Sequence, residues 1–324
     1  MSRSEQSKAA PESILHLVFD CPDSYDLPHI VPITKDTANI EKLPVHAVGT
    51  INHSTQERDY LFFTDKFVKN SNLTITSVFL HIVQSFTQHG THPPVLWLQA
   101  DNASKENKNR WMIAFIVWLV EIGWFVEVML SMLPVGHTHI DVDQMFSTFS
   151  KYLDKHSVEW LYDLPSKIGD AYKSQQTRPS ASFLPVVYNW SGFFAPFVRN
   201  ISGLNSAHLF IVKRLPSGKV GLKAKKWHST DDHWTGDSTL PGEWMEVLTS
   251  VPQGKPQPVE VVVNENIPPL KEIQKCRAWL SPRAVEEWAL MINNQTEGSG
   301  MSWELQPSMF DYKKVNSNMS LTHL

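Results

Sequence analysis

The clearest pattern in the chain is an alternation of apolar runs and polar turns between residues 95 and 153. An apolar run at 95–100 ends in Asp101, and a polar turn at 102–109 leads into the dense apolar block at 111–120. The lengths of these runs predict a strand followed by a buried helix.

A second strand-like run, at 126–133, is followed by a break at Pro134 and by a helical segment at 140–153. Asp141 and Asp143 stand in the first turn of that segment. Carboxylates therefore occur where a strand ends or where the last helix begins. Open α/β sheets bind ligands at the carboxyl ends of their strands, so we expect the functional site at this edge.

The segment before residue 95 predicts three further strands and one helix. An apolar run at 14–20 ends in Asp20, and the β-prone runs 45–51 and 60–63 predict a hairpin. A helix is expected over 74–88, where apolar residues recur at three- and four-residue spacing.

The resulting order is βββαβαβα, which predicts an α/β protein with a mixed sheet. This order resembles the ribonuclease-H-like fold, the catalytic core of integrases and DDE transposases. In that fold three acids hold two metal ions, and Asp20, Asp101 and Asp143 stand at the corresponding places.

Changes in composition predict four regions along the chain. Residues 1–12 are expected to be a disordered leader, and 13–160 to form the ribonuclease-H-like core. A linker rich in proline and aromatic residues, followed by a small β-rich module, is expected over 161–263. A C-terminal helix and a loose tail are expected over 264–324.

Composition excludes several classes of protein. The 324 residues are 42% hydrophobic and 19% charged with a net charge of −4, which indicates a folded chain without a uniformly basic surface. The two cysteines are too few for a disulfide framework or a four-cysteine zinc site. We see no signal peptide, and the longest apolar run is about half of the ~20 residues that span a bilayer. We therefore expect an intracellular protein with no membrane partner.

The three acids suit a divalent-metal site. Two ions about 4 Å apart assist phosphodiester chemistry, and carboxylates from separate elements are needed to hold both. We expect Asp20, Asp101 and Asp143 to be the catalytic acids and to bind two Mg²⁺ or Mn²⁺ ions. Asp141 is the alternative third ligand, because residues two apart on a helix point in different directions. The competing explanation is that these aspartates only form turns and cap helices.

The polar segment at 101–109 is a candidate phosphate-binding loop. Asn102, Asn107 and Lys108 carry the side chains that would bind phosphate beside the metal ions. The alternative is an ordinary polar loop in which Ser104 caps the following helix.

A cluster of basic residues near the C-terminal side predicts a further contact with DNA. Six cations fall within fourteen residues with no acid between them, and the alternation expected of two strands would place several on one face. The alternative is a solvated β face. The cluster comprises Lys213, Arg214, Lys219, Lys223, Lys225 and Lys226.

Two motifs extend the resemblance to a narrower family. D-N-(x)4-N-K-N at 101–109 and L-P-V-G-H-T-H-x-D-x-D-Q-x-F at 133–146 resemble a family of transposon-derived eukaryotic domains, with the likeness covering about residues 14–160. The resemblance implies metal-dependent cleavage or strand transfer on DNA, and a nuclear location if that function is retained. Two features depart from the DDE pattern: the third acid is Asp where many DDE enzymes have Glu, and we expect no zinc-finger or helix-turn-helix region before the core.

Two other functions compete with the nuclease. A catalytically inactive, domesticated transposase core would bind nucleic acid or protein without cleaving it. The segment at 137–143 also resembles the zinc-binding H-x-H-x-D-H motif of metallo-β-lactamase-type hydrolases, although Val142 replaces the last histidine. In the DNA hypothesis His137 contacts the substrate, a small-molecule substrate is not expected, and oligomerisation is left open.

Overall fold

The apolar runs of the chain build one mixed sheet with helices on both faces. The structure is a computed structural model, which describes residues 3–22, 24–90, 93–133, 141–226, 244–260 and 268–297. The strands of its sheet are β1 (Ile14–Asp20), β2 (Tyr25–Leu27), β3 (Leu43–Asn52), β4 (Arg58–Thr64), β5 (Val95–Ala100), β6 (Glu127–Met132), β7 (Ser180–Phe183), β8 (Leu209–Arg214) and β9 (Val220–Lys225).

The helices lie between and beyond these strands. They are α1 (Arg3–Ala9), α2 (Lys35–Ala38), α3 (Ser71–His89), α4 (Arg110–Glu121), α5 (Asp141–Leu153), α6 (Leu164–Ala171), α7 (Trp190–Phe194), α8 (Leu270–Lys275) and α9 (Pro282–Glu297). Short 3₁₀ turns occur at Leu161–Asp163, Leu204–Ser206 and Arg277–Trp279. No helix in the described ranges is both long and apolar enough to span a bilayer.

The strand order in the sheet is β7-β4-β3-β1-β5-β6-β8-β9, and β2 pairs with β3 beside this path. Strands β1, β5 and β6 run parallel to one another, whereas β3 is antiparallel to both β1 and β4. On the far side, β8 is antiparallel to β6 and β9. The predicted α/β class with a mixed sheet is therefore confirmed.

One face of the sheet is covered by α3 and α4. The predicted buried helix is present, and every residue of α4 from Met112 to Val120 is buried. Asn109 caps α4 by accepting hydrogen bonds from the backbone N–H groups of Trp111 and Met112, so the suggested cap, Ser104, is wrong. An asparagine side chain at this position satisfies N–H groups that the first helical turn leaves without partners.

The opposite face is covered by α5 and α9. One apolar stripe of α5 packs on β1, β3 and β4 through side chains that include Met145, Phe146 and Phe149. The C-terminal helix joins the same core, because the rings of Trp288 and Trp160 meet edge to face with centroids 4.8 Å apart.

Two regional expectations differ from the structure. Residues 3–9, expected within a disordered leader, form α1, whose Ser7 is buried. The strands of the expected small β-rich module extend the main sheet, because β8 pairs directly with β6. Pairing with β6 buries Phe210 and Val212 in the main core, which an independent hairpin could not do.

A close approach between α5 and β3 gives a stability prediction. A methyl group on Gly49 would lie 2.7 Å from Met145 Cε and closer still to the Phe146 ring, so Gly49→Ala should destabilise the protein by about 1–3 kcal/mol. Gly169 lies in α6 with nothing within 4 Å of an added methyl group, and Gly169→Ala should stabilise by about 0.5–1 kcal/mol. Equilibrium urea unfolding measures both changes, and equal effects of the two variants would contradict this account of the packing.

Candidate functional site

The candidate acids come together where parallel strands end. Asp20 is the last residue of β1, and Asp101 directly follows β5, its parallel neighbour. Parallel strands present their carboxyl ends at the same edge of a sheet. Asp143 reaches this edge from the first turn of α5, which packs over β1 and β3.

The charges of the three acids interact. The pKa of Asp20 is raised to about 6, mainly by burial and in addition by the negative charges of Asp101 and Asp143. A hydrogen bond from the Cys21 backbone N–H and the positive charge of Lys69 act in the opposite direction but do not cancel the shift. The negative charge of Asp20 is therefore disfavoured in these surroundings, and a nearby cation would stabilise it.

The two acids at the start of α5 have different surroundings. Asp143 is among the charges that shift the pKa of Asp20, and Asp141 is not. The Asp141 carboxylate is 56% exposed and lies 3.7 Å from Nε2 of the buried His53. Asp143 therefore interacts electrostatically with Asp20, whereas Asp141 lies beside His53.

Asp101 is held in place by its own loop. Its Oδ1 accepts hydrogen bonds from the Ala103 backbone N–H at 3.1 Å and from Asn107 Nδ2 at 2.5 Å. Asn107 is buried, and in the described part of the chain its Oδ1 has no hydrogen-bond partner. Asn107 thus orients Asp101, and its unpaired oxygen is a further potential ligand near the acids.

Lys108 was predicted to bind phosphate, but its ammonium group is hydrogen-bonded within the protein. Its side chain is buried, which lowers its pKa, and Nζ donates to the Asn205 carbonyl at 2.7 Å and to Asn102 Oδ1 at 3.2 Å. Asn102 Nδ2 in turn donates to the Leu133 carbonyl. Lys108 and Asn102 therefore tie the turns after β5 and β6 to the turn before β8, and their polar groups are used within the protein.

Two charged residues at this edge were missed in the sequence. Lys69 Nζ donates to the Cys21 carbonyl at 3.2 Å and lies 3.6 Å from Glu106 Oε2. Burial raises the pKa of Glu106; the charge of Asp101 adds to the rise and that of Lys69 opposes it. Glu106 stood in the polar loop that we singled out, but nothing in the spacing of Lys69 indicated that it would reach the acids.

Carboxylate and amide oxygens are the ligands that Mg²⁺ and Mn²⁺ prefer, so the chemistry of this group fits such ions. Within the described ranges, however, no three His, Cys, Asp or Glu side chains form a group arranged to hold a metal ion. The acids are electrostatic neighbours and not a closed coordination cage. His137 and His139 lie outside the described residues.

The basic cluster on β8 and β9 is less free than its sequence indicated. Lys219 Nζ lies 2.6 Å from Glu246, and Arg214 lies 3.6 Å from Glu121. The absence of acids within the cluster's own sequence therefore does not extend to the folded protein, where acids from other segments pair with it. Lys225 ends β9, and Lys226 follows at an exposed position.

The other two lysines of the cluster lie beside an aromatic ring. Lys213 and Lys223 place their ammonium groups 5.1 and 5.8 Å from the ring centroid of Trp244. Trp244 was not among the residues that the sequence singled out, because it is separated from the cluster along the chain.

Comparison with known proteins gives one match. The family model described as Domain of unknown function (DUF7869) matches residues 35–230, a range that includes Asp101 and Asp143 and begins after Asp20. The chain matches none of the curated proteins with which it was compared.

The shifted pKa of Asp20 predicts a pH-dependent stability. Its pKa is about 6 in the folded protein against an ordinary 3.8, so the folded state binds more protons between these values. Stability should therefore fall as pH rises from about 4 to about 6, and the loss from this one group should be about 1–3 kcal/mol.

Urea unfolding in EDTA at pH 4 and pH 7 measures this effect. Asp20→Asn should gain about 1–3 kcal/mol relative to the wild type between the two pH values, because the amide does not titrate. Asp154→Asn, at an exposed position after α5, is the control and should follow the wild type. If the difference in unfolding free energy between Asp20→Asn and the wild type is the same at pH 4 and pH 7, the raised pKa of Asp20 is contradicted.

Proposed function

This chain belongs to the family described as Domain of unknown function (DUF7869), and we propose that its function is metal-dependent cleavage or strand transfer at phosphodiester bonds of DNA. The proposed catalytic acids are Asp20, Asp101 and Asp143, which would bind Mg²⁺ or Mn²⁺. The family description names no activity, so the proposal comes from the arrangement of the site.

The topology supports a ribonuclease-H-like core of the transposase and integrase type. Five adjacent strands follow the order β4-β3-β1-β5-β6, in which only β3 opposes the direction of its neighbours. Helices α3, α4 and α5 follow β4, β5 and β6 along the chain. Apart from α1 before β1, and β2 and α2 between β1 and β3, this order is compatible with the βββαβαβα arrangement that the sequence resembled, and it supports the proposed transposon-derived origin.

The observation that carries the proposal is the arrangement of the sheet. The parallel pairing of β1 with β5 brings Asp20 and Asp101 to one edge, which Asp143 approaches from the first turn of α5. Beside burial, the charges of Asp101 and Asp143 contribute to the raised pKa of Asp20, so both carboxylates repel that of Asp20. Such repulsion is unfavourable in the protein alone and is relieved by a divalent cation.

The residues at the acid edge have different roles in the proposed reaction. Asp20, Asp101 and Asp143 would hold the ions, with Asn107 orienting Asp101 through its hydrogen bond. Bound ions would supply activation of the attacking oxygen and stabilisation of the leaving oxygen. Lys69 is the described cation that acts on Asp20 and would compete with the metal or approach the phosphate.

A second candidate function is supported by the same geometry. A catalytically inactive core that binds nucleic acid or protein fits the absence, among the described residues, of a group arranged to hold a metal. The Lys69 ammonium also compensates part of the negative charge that would attract an ion. Metal binding and cleavage distinguish the two functions.

The proposed function predicts metal binding. Titration calorimetry with Mg²⁺ or Mn²⁺ should show binding to the wild type, and Asp101→Ala should abolish it because a central ligand is lost. Asp143→Asn should weaken binding at least about tenfold, whereas the matched variant Asp141→Asn should remain within about twofold.

The matched pair also separates the alternatives for the third acid. A larger loss in Asp141→Asn than in Asp143→Asn would reassign the third ligand. A wild-type chain that binds neither ion would exclude the enzyme and leave the binding module.

The proposed function also predicts cleavage of DNA. With Mn²⁺ the wild type should cut branched or single-stranded DNA, and Asp20→Asn or Asp101→Asn should reduce the rate at least about 100-fold. Asn107→Ala should reduce it about 10- to 100-fold, the range typical of residues that orient metal ligands. Cleavage that persists unchanged in the aspartate variants would identify a contaminating nuclease and contradict the proposal.

A further inference from the structure

One face of the sheet connects the acids with the basic cluster. The strand registers pair Val18 with Gln99, Gln99 with Ser131, Ser131 with Leu209, and Leu209 with Lys225. Directly paired residues of a sheet direct their side chains to the same face. Because side chains alternate along a strand, the face that holds Val18 also holds Asp20, so Lys225 and Asp20 share it.

The distance across this face follows from strand spacing. Four steps separate β1 from β9 in the sheet order, which corresponds to about 19 Å at ~4.8 Å per step. Gly221, which lies against Trp244, is also six residue positions from the Asp20 row along the strand direction, or about 20 Å at ~3.3 Å per residue, so the two sites are about 28 Å apart.

Trp244 lies against this face at β8 and β9. A methyl group on Gly221 would lie 3.1 and 3.2 Å from atoms of Trp244, so the glycine leaves room for the indole. Lys213 is the register partner of Gly221, and Lys223 lies two residues further along β9. The ammonium groups of Lys213 and Lys223 therefore stay close to the ring.

A cleft of about 560 Å³ is lined by Trp244, Arg199, Lys219 and Glu246, with three other residues. One carboxylate serves two cations there, because Glu246 lies 2.6 Å from Lys219 and 3.8 Å from Arg199. Glu127 is the register partner of Lys213 and is a second acid nearby. Lys213 and Lys223 add two further cations beside the indole, so four cations of the described chain lie in or next to the cleft.

We propose that the Trp244 cleft binds an unpaired nucleotide of single-stranded DNA, with the base stacked on the indole and the phosphates near the surrounding cations. Aromatic rings flanked by cations bind single strands in this way, and stacking is worth about 1–3 kcal/mol per base. In a duplex the bases are stacked on one another and their faces do not reach an indole on a sheet. The choice of DNA rests on the proposed function.

The test measures binding alone. Fluorescence anisotropy in EDTA compares the full chain and its variants on a labelled 12-nucleotide single strand and on the matching duplex. Trp244→Ala should weaken binding to the single strand about tenfold, and Trp244→Phe, which keeps an aromatic face, should stay within about threefold. Binding to the duplex should be the same in all three proteins.

A second variant leaves the indole in place. Lys223→Gln should lower the slope of log affinity against log salt by about 0.7 for the single strand. Circular dichroism and the unfolding midpoint verify that each variant is folded, and Lys223→Gln provides the test if Trp244→Ala does not fold.

Three results would contradict the proposal that the Trp244 cleft binds single-stranded DNA. They are no binding by the wild type, equal losses of affinity in Trp244→Ala and Trp244→Phe, and a loss of affinity for the duplex equal to that for the single strand. If the wild type cleaves DNA and the folded Trp244→Ala variant binds the single strand normally, the proposed role of the cleft is contradicted and the proposed cleavage is not. Binding through Trp244 by a chain that neither binds metal nor cleaves would support the cleft and contradict the proposed cleavage.

Discussion

The parallel pairing of β1 with β5 is the constraint on which the rest of the site depends. It places Asp20 and the residue after β5, Asp101, at one edge of the sheet, where burial and like charge raise the pKa of Asp20 to about 6. This arrangement lowers the stability of the folded protein near neutral pH. It persists because a large apolar core on both faces of the sheet holds the two strands together.

Buried polar groups give this edge its shape. Lys108 and Asn102 tie three turns together, and Asn107 holds the Asp101 carboxylate. These contacts lie in a partly buried setting, where a polar group without a partner is costly, so each one restricts the loop to few conformations. Close packing against Gly49 of β3 sets the position of α5, the helix that carries Asp143. The acids therefore lie on rigid elements and braced turns.

The acid edge and the Trp244 cleft lie on one face of a single sheet, because β8 and β9 continue the sheet beyond β6. Pairing with acids such as Glu246 and Glu121 reduces the electrostatic field of the basic cluster. A surface of this kind is expected to select by stacking and shape as well as by charge. The sheet thereby provides a physical connection between the acid edge and the Trp244 cleft.

The sequence by itself determined the order of the main strands and helices, the buried character of α4 and the positions of the acids at element ends. Those features depend on periodicity and turn chemistry within short windows, which consecutive residues carry. Only the tertiary structure decided that β8 and β9 join the main sheet, that Lys108 is buried, and that Lys69 and Trp244 reach the two sites. Those outcomes depend on which distant segments pack together, and their free energies are shared among many contacts, so no local pattern records them.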